Sequence, residues 1–155
     1  MKWTRILLMI ATLLLAFNVV KAQKSPDYYF SKTVDGTFEE VTNKTKAALK
    51  DQGFGVITEI DMDVKLKEKL DDVDLRPYKI LGVCSPAYAW KTIQEEENIG
   101  LFLPCKVLIK DVGDGKVEVV MVDPEAIMGF LQKEDLNKVA SEVSRKFQSA
   151  LSDIK

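Results

Sequence analysis

Hydrophobic residues follow three patterns along this chain. Ile6 to Val20 is a continuous apolar run except for Thr12 and Asn18. Further on, short segments rich in β-branched and aromatic residues predict strands over Tyr28–Val34, Gly55–Ile60, Tyr78–Cys84, Leu101–Asp111 and Val117–Val122. Elsewhere the apolar positions recur in steps of three and four. Phe38, Val41, Thr45, Ala48 and Leu49 share one helical face. Leu136, Val139, Ala140, Val143, Phe147, Leu151 and Ile154 form one stripe on a helix from about Glu134 to Ile154. Its opposite face carries Lys138, Glu142, Arg145, Lys146 and Asp153, so the stripe is expected to be core.

Punctuation residues sharpen the boundaries. Thr37-Phe38-Glu39-Glu40 has the capping-box arrangement, with the Thr37 hydroxyl serving the Glu40 amide and the Glu40 carboxylate reaching back. Gly53 stands where a left-handed residue closes that helix, and Phe54 is placed to pack on Leu49. A short helix is expected over Asp63–Leu70, capped by Asp61 or Asp63. Ser85-Pro86 ends one strand and opens a helix to about Glu96. Gly113-Asp114-Gly115 carries the Asp-Gly hairpin signal, and Asp123-Pro124 opens a short helix to Gly129. The expected fold is one α+β domain, an antiparallel β-sheet with helices packed on one face.

The first apolar run lies outside this fold. Lys2 and Arg5 precede it, and Val20-Lys21-Ala22 follows it with modest side chains at the −3 and −1 positions of a cleavage site. The run is shorter than the roughly 20 residues that span a bilayer. Residues 1–22 are therefore expected to be a cleaved secretory signal peptide, and residues 23–155 the single exported domain, periplasmic or secreted, with no stable membrane span. The whole chain has 155 residues, 22 basic and 24 acidic. Three of the basic residues, Lys2, Arg5 and Lys21, sit in the signal, which leaves the remainder at a net −5. An acidic chain without a basic stretch is a poor nucleic-acid binder.

Composition removes several chemistries. The chain has no histidine, which excludes Ser-His-Asp and Cys-His catalysis and His-ligated zinc. Glycine-rich phosphate loops and the Gly-x-Ser-x-Gly elbow are absent from the sequence. The acidic groups around Asp61–Asp74 and Glu95–Glu97 fit no calcium loop and read as caps and solvated helix ends. No catalytic set and no cofactor can be named.

Three stretches together resemble the bacterial domain-of-unknown-function family 302. They are Gly53-Phe54-Gly55-Val56-Ile57-Thr58-Glu59-Ile60-Asp61, Arg76-Pro77-Tyr78-Lys79-Ile80-Leu81-Gly82-Val83-Cys84-Ser85-Pro86, and Ile99-Gly100-Leu101-Phe102-Leu103-Pro104-Cys105-Lys106-Val107 with Asp123-Pro124 downstream. The resemblance covers about residues 38–130. It implies a β-α-β-β-β-β-α fold and a tendency to homodimers, and no established activity. Such proteins commonly carry a histidine in the helix after the Cys-x-Pro element. Trp90 stands there in this chain, so a mechanism built on that imidazole is absent.

The chemistry left to weigh gathers around Cys84, Pro86, Trp90, Pro104 and Cys105. Each cysteine adjoins a proline at a strand end. Three readings stand open: a structural disulfide, worth roughly 3 kcal/mol if geometry allows; two thiols lining a pocket, as a redox couple or a soft-metal site; or unpaired buried side chains. Tyr88 and Trp90 lie two apart on a helix and so point in different directions. The leading expectation is a non-catalytic, homodimeric module that holds a small, partly apolar ligand near those five residues. The alternatives are a thiol-based redox or soft-metal protein using Cys84 and Cys105, and a purely structural role through a dimer surface.

Overall fold

The computed structural model describes residues 28–155, so the expected signal segment 1–22 lies outside the described residues. Strands β1 (Tyr29–Asp35), β2 (Gly55–Asp61), β3 (Tyr78–Cys84), β4 (Cys105–Gly113) and β5 (Lys116–Val122) form one sheet. All its neighbours are antiparallel, in the order β1-β5-β4-β3-β2. The helices are α1 (Phe38–Asp51), α2 (Met62–Lys67), α3 (Pro86–Glu95), α4 (Pro124–Met128) and α5 (Glu134–Asp153). This is the expected α+β order, with short helices inserted between its main elements. Among the described residues no helix is long and apolar enough to cross a membrane.

The core follows from strand alternation. Leu81 and Val83, Val107 and Ile109, and Val117, Val119 and Met121 are buried on one face of the sheet. Val41, Leu49 and Ala48 of α1, with Val143, Phe147, Ala150 and Leu151 of α5, close over them. The stripe expected on α5 is thus core. Phe54 and Phe147 meet edge to face, with ring centroids 4.9 Å apart. Lys32 lies on the same face as Val34 and sends its ammonium to the carbonyls of Ser152 and Ile154, at 2.9 and 2.7 Å. It thereby satisfies carbonyls at the C-terminus of α5, where a cation is favourable.

The capping signals of α1 are realised. Thr37 Oγ1 accepts from the Glu40 amide at 3.2 Å, and Glu40 Oε2 accepts from the Thr37 amide at 3.0 Å. At the other end the Phe54 and Gly53 amides donate to the Leu49 and Lys50 carbonyls, at 3.0 and 2.9 Å. Gly53 has φ +86°, so this is the Schellman closure, which a β-carbon would oppose.

Two local expectations need correction. The strand expected from Leu101 begins at Cys105, because Glu97–Phe102 coils into a 3₁₀ turn. The Glu96 carboxylate caps that turn through the Asn98 amide and is held by the Lys133 ammonium at 2.6 Å. Ile99 is buried while Leu101 is 85% exposed. Same-face neighbours two apart in a strand would share an environment, whereas a helical turn splits them. The second correction concerns α2, which buries none of its residues and gains no side-chain cap. The expected capping carboxylates have other partners: Asp61 pairs with Lys79, and Asp63 Oδ1 accepts from the Tyr78 amide at 3.2 Å.

Candidate functional site

The chain ends of β3 and β4 build the site. Val83 pairs with Cys105 across the two strands, which brings the Cys84-Ser85-Pro86 corner beside the Pro104-Cys105 corner. Pro104 lies over Gly82: a β-carbon there would stand 2.6 Å from Pro104 Cγ and 2.2 Å from Thr58 Oγ1. Glycine in the middle of β3 is therefore the condition for the proline to cover the strand. On the opposite side, Asp123 caps α4 through the Glu125 amide at 3.1 Å. Ser144 of α5, buried in the apolar stripe, donates to the same Asp123 carboxylate and accepts from the Glu125 amide. That hydroxyl fixes α4 against α5 and sets the distance between Pro124, Met128 and the strand ends.

Two spaces lie back to back in this region. The inner one is a cavity of about 30 Å³ bordered by Phe54, Cys84, Tyr88, Cys105, Met128 and Val143, among others. It exceeds the roughly 10–15 Å³ that one water requires. The Thr92 hydroxyl on its wall donates back to the Tyr88 and Ala89 carbonyls of its own helix, so the space is apolar in character. The outer one is a groove of about 280 Å³ between the 3₁₀ turn, β4 and α4. Leu101, Phe102, Pro104, Lys106, Val122 and Ile127 line it. Cys105, Pro124 and Met128 border both spaces and form the partition between them.

Cys84 and Cys105 are free thiols. Burial pushes the Cys105 thiol up to about 11, a negative charge on Cys84 opposes its ionisation further, and the Lys106 ammonium pulls the other way. Burial also raises the Cys84 thiol, against a weaker opposite effect of the Ser85 backbone. Both therefore stand as neutral thiols near neutral pH, and neither is an activated nucleophile. At the cavity edge the Tyr88 hydroxyl donates to the Glu142 carboxylate. Burial and then that carboxylate push the phenol up to about 12. Among the described residues no group of three or more Cys, Asp and Glu side chains is placed to hold a metal ion.

The five residues expected to form one site are divided. Cys84 and Cys105 border the cavity, while Pro104 and Cys105 border the groove. Pro86 opens α3 on the surface, and Trp90 is 62% exposed on the same helix. Neither lines the cavity or the groove. Tyr88 points inward, stacked on Phe54 at 6.2 Å between centroids, so the expected divergence from Trp90 is observed. Met128, Ile127, Leu101 and Lys106 belong to the site and escaped the sequence reading. The signal available for Ile127 and Met128 was their place in the turn opened by Asp123-Pro124. Leu101 and Phe102 were hidden by being read as strand.

Comparison with known proteins places this architecture. The chain matches no curated protein. It is similar to the crystal structure of an uncharacterized conserved protein DUF302 from Bacillus stearothermophilus. The TM-score is 0.76 and the identity 26%, over 83% of this chain and 99% of that one. The family model described as "Domain of unknown function DUF302" matches residues 30–154, from the start of β1 to the end of α5, and on that extent the chain belongs to the DUF302 family.

Proposed function

We propose that this protein is a non-catalytic binding module, exported after loss of residues 1–22, that holds a small, partly apolar ligand in the groove between the 3₁₀ turn, β4 and α4. The observation that carries this reading is the groove itself. Its volume of about 280 Å³ approaches the lower end of the range of small-molecule sites, about 300–1,000 Å³. Its walls are almost wholly apolar, and its partition contains Met128, an unbranched side chain that adapts its rotamer to what it touches. A ligand pressing on Met128 and Cys105 gains access to the inner cavity, which is too small to hold one by itself. The test is uptake of an apolar fluorescent naphthylamine. Wild-type protein is expected to bind it, and Ile127→Trp, which fills the groove from its exposed side, is expected to abolish binding with the fold intact. Equal uptake by both proteins would count against the groove.

The homodimer belongs to the same proposal. On the sheet face away from α1 and α5, Ile60, Ile80 and Leu108 lie in register across β2, β3 and β4, and Ile60 is 39% exposed. An apolar row on one sheet face supports pairing with a second copy through that face. Sedimentation at micromolar concentration is expected to show a dimer, and Leu108→Glu a monomer. A monomeric wild-type protein would remove the dimer and leave the groove untouched.

A second reading keeps the thiols in play, because Cys84 and Cys105 border one cavity and a charge on Cys84 would oppose ionisation of Cys105. A soft cation with sulfur preference would use them, with the nearby Met128 thioether, in place of the oxygen ligands that are lacking there. Intact mass of the exported protein, alkylated before and after reduction, tests this reading and the export together. Two alkylatable thiols on a chain beginning at Gln23 support both. A bridge that opens only on reduction would make the cysteines structural.

A further inference from the structure

Among the described residues the groove contains one charged side chain. Its walls are Leu101, Phe102, Pro104, Val122, Ile127 and the Cys105-Pro124-Met128 partition, and the exception is Lys106. Other lysines in the sequence's second half are already paired, Lys133 with Glu96 and Lys138 with Glu134 and Asp135. Lys106 has no carboxylate within ion-pair distance among the described residues. Its ammonium donates to the Pro104 carbonyl, which leaves two of its three N–H groups without a protein partner there. The backbone explains the position. Lys106 lies opposite Gly82, a residue with no side chain, and Pro104 covers that gap, so the lysine stem runs along the groove wall with its charge at the rim.

We propose that the ligand of this groove is a small amphipathic anion, an unbranched or aryl carboxylic acid of roughly ten non-hydrogen atoms, whose carboxylate pairs with Lys106 while its apolar body lies along Leu101, Ile127 and Met128. This inference rests on the reading of the groove as a small-ligand site, and it names the class of ligand. A neutral apolar molecule would fill the same walls but leave the lysine's charge unanswered. A dianion would meet a single cation. The net negative charge expected for the rest of the chain argues against a general attraction for anions, so recognition must come from this one ammonium.

The experiment compares octanoate with 1-octanol, which share a chain and differ in charge. Each is titrated into the purified protein at low salt while the methyl resonances of Leu101, Ile127 and Met128 are followed. Octanoate is expected to bind with a dissociation constant of about 1 mM or below, and 1-octanol at least about fivefold more weakly. Lys106→Gln is expected to weaken octanoate by a similar factor and leave 1-octanol unchanged. Raising ionic strength is expected to reduce the preference further. If both compounds shift the groove methyls equally, with or without Lys106, the anionic class is wrong and the apolar-ligand site stands. If neither compound moves those methyls, the groove reading and the anion fall together.

Discussion

Among the described residues two hydrophobic clusters stand apart, and they are built differently. The larger one lies between the sheet and helices α1 and α5, where Leu81, Val83, Val107, Ile109, Val119 and Met121 interlock with Leu49 and Phe147. Every strand residue in it comes from a regular alternation, and every helix residue from a 3.6-residue stripe. The smaller cluster contains Ile99, Met128, Leu136 and Ala140, with Phe102, Leu103 and Leu131 packed against it. The 3₁₀ turn at Glu97–Phe102, a second one at Gly129–Leu131, the five-residue helix α4 and the first turns of α5 supply it. The cavity and the groove both adjoin this second cluster, through Met128. Regular elements pack to crystal-like density because their side chains repeat at fixed intervals. Short irregular elements have no such repeat, so gaps remain where they meet. The difference locates the space for a ligand where the secondary structure is least regular.

The largest expected effect tests the dense cluster. Phe147→Ala removes a fully buried ring that touches Phe54, and is expected to cost about 3–5 kcal/mol in chemical denaturation. A loss below about 1 kcal/mol would show that the two clusters do not differ in packing. Next comes the partition, through pH. Cys105 has its thiol pushed up from 9.0 to about 11, so the folded state holds its proton when the unfolded chain has lost it. The stability from that neutral thiol is complete below pH 9 and is lost as pH rises toward 11. Wild type is expected to lose up to about 2–3 kcal/mol across that window. Cys105→Val, which cannot ionise, is expected to flatten that part of the curve, and identical pH profiles would refute the assignment.

Met128→Ala is expected to cost about 2 kcal/mol, the low end for such a truncation, because the residue already borders a gap on both sides. It also joins the cavity of about 30 Å³ to the groove of about 280 Å³, so uptake of an apolar fluorescent probe should rise as stability falls. Lower uptake would mean that the partition supports the groove instead of closing it. The smallest effect belongs to a cap. Thr37→Ala removes the acceptor for the Glu40 amide at the start of α1. A loss of about 1 kcal/mol is expected, with probe uptake unchanged because α1 borders the dense cluster only. A change in uptake would show that the clusters are coupled.

The dense half was legible from residue types. Thr37 and Glu40, Gly53 and Phe54, and the stripe from Leu136 to Ile154 each carry a local rule that the folded chain obeys. The site was legible only in part. Cys84, Pro104 and Cys105 were found because strand ends marked by proline stand out. Leu101 to Leu103 reads as strand because a run of apolar residues has no visible period, and burial of Ile99 beside an exposed Leu101 depends on where Leu136 and Met128 lie. Lys106 was invisible as a candidate, since a lysine at the start of a strand is ordinary until the residues around it are known to be apolar.

The residues alone determined the α+β class, the caps of α1, the core stripe of α5 and the absence of histidine chemistry, because each depends on neighbours a few positions apart. The tertiary structure decided that Cys84 and Cys105 border one cavity as free thiols, that Pro86 and Trp90 stand outside it, and that a groove with a single cation lies behind Cys105. Those facts depend on contacts between β3, β4, α4 and α5, elements spread over residues 78–153. No local period encodes how far apart such elements come to rest; that distance is set by Gly82 beneath Pro104 and by Ser144 against Asp123.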